Sequence, residues 1–272
     1  MSDYIAANRA IWNAWTTHFA TSAHYADATL VRAGGSSLRS IEREEVGAVR
    51  GRTLLHLQCN MGADTLSWAR LGAQVTGVDI AENAIGAARS LAREAELPAR
   101  FLQSDVYALP AVLEDEFDIV FASYGVLCWL PDLPRWAEIA ARYVRPDGVF
   151  YLVDMHPFTN VFAADTTGSG LDLHATRPYF HAAAPAAEEV EHTGAGNPTM
   201  LYSWSYGLGE VVSALLAAGL RLDFLHEHAV TFYQRFPALV QGDDGWWRWP
   251  SPEHTLPLLF SLRAPLHRAY GR

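Results

Sequence analysis

Between residues 53 and 153, short apolar segments alternate with longer amphipathic ones, and this alternation constrains the fold more than any other feature. The segment TLLHL at 53–57 has the nearly unbroken apolar character of a strand buried on both faces. The pattern predicts strands at 53–57, 73–79, 100–103, 117–123 and 149–153, with helices at 63–71, 82–95, 106–113 and 132–145. Such alternation requires right-handed crossovers and a mostly parallel sheet.

The flanking segments predict a cap, an insertion and the end of the sheet. Trp12, Trp15 and Phe19 recur at three- and four-residue spacing, which predicts an amphipathic helix over 3–20. Residues 155–206 lose the alternation, as is typical of a lid or an inserted segment. A helix at 208–218 and two antiparallel strands, at 220–228 and 256–262, would complete a seven-stranded, mostly parallel, doubly wound sheet. The predicted divisions are a helical cap at 1–50, a core at 51–154, the insertion at 155–206 and the rest of the core at 207–272.

Composition excludes several classes of function. The chain has 272 residues, half of them hydrophobic, which is enough for one large α/β domain. Its formal net charge of −10 argues against binding to a phosphate backbone. No apolar run is long enough to span a membrane, and the N-terminus lacks the features of a signal peptide. The two cysteines suggest no disulfide framework, so a reducing cytoplasm is the expected location. No metal is expected, and the oligomeric state stays open.

The end of the first predicted strand has the character of a nucleotide site. In LLHLQCNMGADTL, Gly62 allows a close approach of the backbone, and Asn60 is the non-glycine residue best able to adopt a left-handed conformation. Asp79 ends the second strand, where its carboxylate is placed to accept hydrogen bonds from ribose hydroxyls. Asp105 follows the third strand at the same edge of the sheet.

With these residues in place, the chain resembles the class I S-adenosylmethionine (SAM)-dependent methyltransferases from about residue 53 to residue 263. The family's acidic position is His56 here, and of its three glycine positions, Gln58, Asn60 and Gly62, only the last is glycine. The later motifs VTGVDI, SDV, FDIVFASYG and RPDGVFYL match better. The resemblance implies that SAM is the cofactor, and it assigns cofactor binding to Gln58, Cys59, Asn60, Gly62, Asp79, Ile80, Asp105, Val106 and Ser123.

Each of these residues also has an ordinary structural interpretation. Gly62 alone is compatible with a simple strand-to-helix turn, and Asp79 and Asp105 with helix caps, since each precedes a helical stretch. His56, inside a strand, is better explained as a buried histidine with satisfied hydrogen bonds than as a base. Cys59 is best explained as a small turn residue. The joint spacing of the motifs favours the cofactor interpretation.

Methyl transfer from a sulfonium requires an aligned nucleophile, exclusion of water and, for a hydroxyl group, a proton acceptor. The predicted catalytic candidates are His156 and Asp154 after the fifth strand and Tyr124 after the fourth, with His18 and His24 as further possibilities. His156 is the first choice because histidine titrates near neutrality. A plain loop histidine is the alternative interpretation.

An aromatic pocket is expected to bind the substrate. Its predicted members are Trp12, Trp15, Tyr124, Trp129, Tyr202, Trp204 and Tyr206, many of which would equally suit a protein core. The predicted function is methylation of an O or N atom of a small, aromatic or hydrophobic molecule. Two alternatives stay open: a protein of the same fold that uses SAM for another reaction or as a structural ligand, and a non-enzymatic protein whose tryptophans bind a partner.

Overall fold

The computed structural model describes residues 2–19, 26–162, 173–190, 199–251, 253 and 255–266. Its strands are β1 (Thr53–Leu57), β2 (Gln74–Asp79), β3 (Ala99–Gln103), β4 (Phe117–Ser123), β5 (Val144–Met155), β6 (Ala186–Val190), β7 (Thr199–Ser203), β8 (Phe224–His228), β9 (Val230–Thr231), β10 (Val240–Gln241), β11 (Trp247–Arg248) and β12 (Leu259–Pro265). Its α-helices are α1 (Ser2–Phe19), α2 (Ala26–Arg32), α3 (Ser40–Val46), α4 (Ala63–Arg70), α5 (Glu82–Glu94), α6 (Leu133–Tyr143) and α7 (Leu208–Ala217). Short 3₁₀ helices occupy Val106–Ala111, Leu127–Trp129 and Pro157–Val161.

Seven strands form the central sheet in the order β3-β2-β1-β4-β5-β12-β8. The first five of these pair in parallel, and β12 is antiparallel to both β5 and β8. Six strands therefore run in one direction and one runs against them. The predicted seven-stranded, mostly parallel, doubly wound sheet is confirmed, as is the antiparallel pairing of its last two strands.

Both faces of the sheet are covered, as the apolar segment 53–57 predicts. In β1, Leu54 belongs to a core cluster with Trp68 of α4, whereas Leu55 faces the opposite cluster with Trp136 of α6. Leu54 and Leu55 are both fully buried. Alternate side chains of one strand thus pack against different helical layers, which explains why the strand has no polar face.

The elements that the sequence pattern missed lie outside the strand–helix core. The helices α2 and α3 have seven residues each and were not predicted. Within 155–206, the described residues include an antiparallel hairpin, β6–β7, where no regular structure was expected. The connection between β8 and β12 contains a small antiparallel sheet, β10-β11-β9, which buries Trp246 and Trp249. The seven-residue helices and the two-residue strands are too short to show a periodicity, and β6 is as long as β1 but almost wholly exposed, so it has no apolar pattern.

The remaining differences concern the boundaries of three strands and the type of one helix. The strand predicted at 149–153 is longer, because β5 begins at Val144 directly after α6. The strand predicted from 220 begins at Phe224, and the one predicted at 256–262 lies at Leu259–Pro265. The 106–113 helix is a 3₁₀ helix that contains Pro110, a residue that an α-helix interior does not accommodate well.

Candidate active site

A cavity of about 310 Å³ lies along the carboxyl ends of β1 to β4. All nine residues predicted to bind the cofactor line it: Gln58, Cys59, Asn60, Gly62, Asp79, Ile80, Asp105, Val106 and Ser123. The strand ends meet there because parallel strands place their carboxyl ends at one edge of a sheet, where ligands of such folds bind.

The turn after β1 has an unusual backbone conformation. Gln58 and Asn60 have φ values of 56° and 49°, and Gly62 has 77°. A side chain at Gly62 would strike Phe101 of β3 and Ala88 of α5, since a Cβ atom there would lie 2.8 Å and 2.9 Å from their atoms. The one glycine that remains in the turn is therefore required both by its conformation and by close packing.

Asp79 connects this turn to the end of β2. Its Oδ2 accepts a 2.8 Å hydrogen bond from the amide of Asn60, and its Oδ1 accepts one of 2.9 Å from the amide of Ala81. Burial raises the pKa of Asp79, and these backbone amides oppose the shift. Each carboxylate oxygen keeps a further lone pair for a ligand hydroxyl.

The other turn residues are held in place by the core. The side chain of Gln58 donates to the carbonyl of Val126 at 3.2 Å and accepts from the indole of Trp136 at 3.1 Å.

Asp105, after β3, accepts a hydrogen bond from the amide of Tyr107 at 3.0 Å, as a cap residue does, and burial raises its pKa. The cap interpretation of Asp105 and its position on the cavity are compatible.

A buried polar network lies behind the turn. The ring of His56 contacts the hydroxyl groups of Thr65 at 2.8 Å and Ser123 at 3.3 Å, and burial lowers its pKa to about 3. His56 therefore remains neutral and has partners for both nitrogens, in agreement with its structural interpretation. Asp64 accepts from Ser37 at 2.6 Å and from Ser123 at 3.3 Å. Burial raises the pKa of Asp64.

Several cavity residues were missed by the sequence prediction. Asp27, Ser37, Arg39, Asp64 and Phe232 line the cavity. The guanidinium of Arg39 lies 5.3 Å from the ring centre of Phe232 and 5.6 Å from that of Trp246. Residues 27–39 and Phe232 are far apart along the chain and belong to no recognisable motif. Only Asp64 carried a signal, as the first acidic residue after the glycine turn.

A carboxylate next to the cavity was also missed. Glu42 of α3 is fully buried, and its Oε2 accepts a 2.6 Å hydrogen bond from the hydroxyl of Tyr124. Its Oε1 accepts from the amide of Arg39 at 2.5 Å. Burial, with the nearby charge of Asp64, raises the pKa of Glu42 to about 7. Tyr124 lines the cavity with a φ of 53°, in the left-handed region that a tyrosine rarely adopts.

Asp154 and His156 lie beside the cavity rather than on it. The carboxylate of Asp154 accepts hydrogen bonds from the amides of Gly125, Val126, Leu127 and Met155. Burial raises its pKa to about 6, and it orients the loop after β4. The ring of His156 contacts Glu227 at 2.8 Å and accepts from the amide of Phe158 at 3.1 Å. Burial lowers the pKa of His156.

The predicted aromatic residues divide into two groups. Trp12, Trp129 and Tyr124 line the cavity, and Trp15 makes edge contacts with Trp12 and Trp129 at ring distances of 5.2 Å and 6.1 Å. Tyr202, Trp204 and Tyr206 lie elsewhere: Tyr202 and Trp204 pack against Tyr4, and the hydroxyl of Tyr206 donates to Leu130. None of the described residues in 155–206 lines the cavity.

The N-terminal helix covers the cavity and is fastened by the insertion. Ile5, Asn8 and Trp12 of α1 line the cavity. The amide side chain of Asn8 exchanges two hydrogen bonds with the backbone of Tyr202 in β7, at 2.8 Å and 2.9 Å. The β6–β7 hairpin thus supports the covering helix. The side chain of His18 and the whole of His24 lie outside the described residues.

Neither a membrane-spanning helix nor a metal site is present among the described residues. No helix in them has the length and apolar character that a membrane crossing needs. In the same ranges, no three His, Cys, Asp or Glu side chains converge in a way that could hold a metal ion.

Sequence comparison relates the middle of the chain to methyltransferases. A family model described as a methyltransferase domain matches residues 55–152, which include the turn after β1, Asp79 and Asp105. A ubiquinone biosynthesis O-methyltransferase from Alkalilimnicola ehrlichii is 32% identical over 120 residues. That match covers 43% of this chain and 48% of the enzyme, so the chain spans about half the length of the curated relative.

Solved structures support the fold over more of the chain. An S-adenosylmethionine-dependent methyltransferase from Mesorhizobium loti has a TM-score of 0.58 at 17% identity, covering 82% of this chain and 95% of that one. The glycopeptide N-methyltransferase MtfA, solved with SAM, has a TM-score of 0.53 at 18% identity, covering 89% and 95%. Residues 55–152 thus match a methyltransferase domain, in agreement with the family resemblance of the sequence motifs, and the solved structures share the fold of the larger part of the chain.

Proposed function

We propose that this protein transfers the methyl group of SAM to an O or N atom of a small aromatic or hydrophobic molecule. The single observation that carries the proposal is the position of the nine predicted cofactor residues on one cavity, within a segment that matches the methyltransferase domain. SAM is a ligand of a solved structural neighbour of the same fold. The family of the core domain supports the same cofactor here.

The residues around the cavity fit the chemical groups of SAM. Asp79 suits the ribose hydroxyls, and Asp105 with Val106 suits the adenine ring. Among the described residues, Asn60 Oδ1 is a buried acceptor without a hydrogen-bond partner, at the turn where the backbone approaches the cavity. An unpaired buried acceptor is costly, and a ligand donor would satisfy it.

The amino-acid end of SAM would lie beyond the turn after β1. Asp64 and Ser37 suit an ammonium group there, and Arg39 suits a carboxylate because its guanidinium is always charged. When bound, SAM supplies an activated methyl group on a positively charged sulfur. The chain's own contribution is to hold both ends of the cofactor, exclude water and place a nucleophile.

The acceptor side of the cavity is aromatic. Trp12 and Trp129 meet edge to face with ring centres 5.2 Å apart, and Phe232 lies against Tyr124 at 4.7 Å. Planar rings of this kind bind aromatic and hydrophobic molecules well, and the net charge of −10 disfavours a nucleic-acid acceptor. A reducing cytoplasm remains a prediction from the two free cysteines.

Calorimetric titration with SAM, followed by mass spectrometry of the products, tests the proposal. Binding of SAM, with methylated product and the demethylated cofactor S-adenosylhomocysteine in equal amounts, is the expected result. Binding without a methylated product would favour another use of SAM, and no binding at all would favour a partner-binding protein. Asp115 is exposed, is paired with Arg100 and does not line the cavity, so the control variant Asp115→Ala should bind SAM as the wild type does.

A further inference from the structure

Two tyrosine–glutamate pairs anchor the helix α3 to neighbouring strands. The hydroxyl of Tyr124 donates to Glu42 Oε2 at 2.6 Å, and the hydroxyl of Tyr151 donates to Glu45 Oε2 at 2.7 Å. Only the first pair reaches the cavity, because Tyr124 lines it and Tyr151 does not. The two pairs have the same chemistry, nearly the same length and the same supporting helix, and they differ in access to a ligand.

The groups around Glu42 set its charge. Asp64 of α4 and Tyr124 after β4 face it from two sides, Tyr151 of β5 is close enough to interact, and the amide of Arg39 donates to its Oε1. Burial and Asp64 disfavour the carboxylate, whereas hydrogen bonds from the Tyr124 hydroxyl and from the backbone amides of Arg39 and Glu42 favour it. The balance brings the pKa of Glu42 to about 7, so that it can change protonation state near neutral pH.

We propose that Tyr124 and Glu42 form a proton relay for an acceptor that carries an aromatic hydroxyl group, an inference that rests on the proposed function. As the acceptor oxygen bonds to the methyl carbon, its O–H bond breaks and the proton moves to the Tyr124 oxygen. The proton of Tyr124 moves at the same time to Oε2 of Glu42. The electron pair of the broken sulfur–methyl bond stays on sulfur, so the step balances without a further reactant.

The acceptor class follows from the chemistry of the relay. Tyr124 gives its own proton to Glu42 as it receives one from the acceptor, so no tyrosinate forms; burial and the charge of Glu42 raise the pKa of Tyr124 and disfavour that anion. A phenolic hydroxyl is more acidic than an alcohol, so its proton passes more readily to Glu42, whose pKa of about 7 suits a base at neutral pH. The tyrosine hydroxyl already donates to Glu42, which leaves its oxygen lone pairs to accept from the acceptor. The ring of Phe232 lies against Tyr124 at 4.7 Å, and the rings of Trp12 and Trp129 line the same cavity.

Turnover with simple phenols tests the relay. Formation of S-adenosylhomocysteine is measured across pH with phenol, catechol and 4-hydroxybenzoate, whose phenolic groups stay protonated near pH 7, for the wild type, Tyr124→Phe, Glu42→Gln and the matched control Tyr151→Phe. We expect kcat of the wild type to rise with pH through about 7, as Glu42 ionises. Tyr124→Phe and Glu42→Gln should lower kcat about 100-fold and remove this rise. Tyr151→Phe should keep both kcat and the pH profile.

A measurement without cofactor or turnover tests the coupling of the pair. In the infrared difference spectrum of wild type minus Glu42→Gln, which removes the bands of Asp64 and Asp154, the C=O band of protonated Glu42 should disappear as pH rises through about 7. Tyr124→Phe should shift that band and raise the pH at which it disappears, because the hydrogen bond from tyrosine favours the carboxylate. Tyr151→Phe should shift it less. A band that Tyr124→Phe leaves unmoved would overturn the coupling.

The outcomes separate this inference from the proposed function. A protein that binds SAM and methylates amines, but forms no S-adenosylhomocysteine with any of the phenols, would overturn the acceptor class and leave methyl transfer in place. Equal kcat losses in Tyr124→Phe and Tyr151→Phe would overturn the relay, because the effect would then come from the anchoring of α3. Absence of SAM binding would contradict the proposed function itself.

Discussion

The two sides of the cavity are built in different ways. The strand-end side consists of the turns after β1 to β4, where each residue is placed by the strand directly before it. The covering side consists of α1, residues 27–39 and Phe232, which come from distant parts of the chain. The first side is held by backbone geometry and close packing, and the second by side-chain contacts such as those of Arg39 with Phe232 and Trp246.

This difference separates the expected effects of mutations. Changes on the strand-end side should damage folding and cofactor binding together, since the same backbone serves both. On the covering side, changes to the aromatic side chains should mainly alter the acceptor step, whereas changes to Ser37 and Arg39 should weaken SAM binding. In both cases the sheet should remain folded, because these side chains lie outside it. Glu42, which lies behind Tyr124, is fully buried, so its replacement should change the stability of the protein as well as the acceptor step.

The largest effect on stability is expected at the glycine of the β1 turn. Gly62→Ala should destabilise the protein by about 2–5 kcal/mol, because it adds strain at positive φ and forces a methyl group against Phe101 and Ala88. Gly86→Ala in α5 is the matched control, since a Cβ atom there meets nothing within 4 Å. It should stabilise the helix by about 1 kcal/mol. Urea denaturation measures the stability of both variants, and equal effects would contradict the close packing of Gly62 against Phe101 and Ala88.

The stability of the protein should also depend on pH through Glu42. Its pKa rises from 4.5 to about 7 on folding, so the folded state favours the protonated form. The stabilising contribution is complete below pH 4.5 and is lost as pH rises through 7. On the order of 3 kcal/mol is involved. Glu42→Gln should therefore be relatively more stable at pH 8 than at pH 5, and an unchanged difference from wild type would contradict the burial of this charge.

Asp79→Ala should weaken SAM binding by about 1–3 kcal/mol, as expected for loss of hydrogen bonds to a charged group. The change also removes the acceptor for the amides of Asn60 and Ala81, so thermal denaturation must accompany the calorimetry. Asp115→Ala, an exposed aspartate, is the control. Full affinity in a folded Asp79→Ala variant would argue against the ribose assignment.

The smallest free-energy effect is expected on the covering side. Phe232→Ala should raise KM for the acceptor about tenfold, near 1.4 kcal/mol, with little change in SAM affinity. Trp204→Ala should act on stability instead, because Trp204 is buried outside the cavity lining. If Trp204→Ala alone raises KM, then the insertion and not Phe232 is the wall of the acceptor pocket. His156→Gln tests the predicted base, because its kcat should fall only if His156 accepts the proton of the acceptor.

The sequence predicted the residues of the strand-end side and the helix α1 with Trp12, but not residues 27–39, Glu42 or Phe232, for a physical reason. Asp79 and Asp105 follow strands, so a correct strand assignment places them at one edge without knowledge of tertiary contacts. Arg39 and Phe232 reach the cavity, and Glu42 reaches Tyr124, only after residues far apart in sequence have packed together, and no short-range spacing encodes that. The expectation that 155–206 forms the outer wall stays a prediction for the residues outside the described ranges.

A crystal structure with S-adenosylhomocysteine would locate the cofactor relative to both sides of the cavity. We expect the ribose hydroxyls on Asp79, the adenine ring beside Asp105 and Val106, and the sulfur directed toward Tyr124. Cofactor bound away from the strand ends, or sulfur directed away from Tyr124 with Asp79 unliganded, would contradict this expectation.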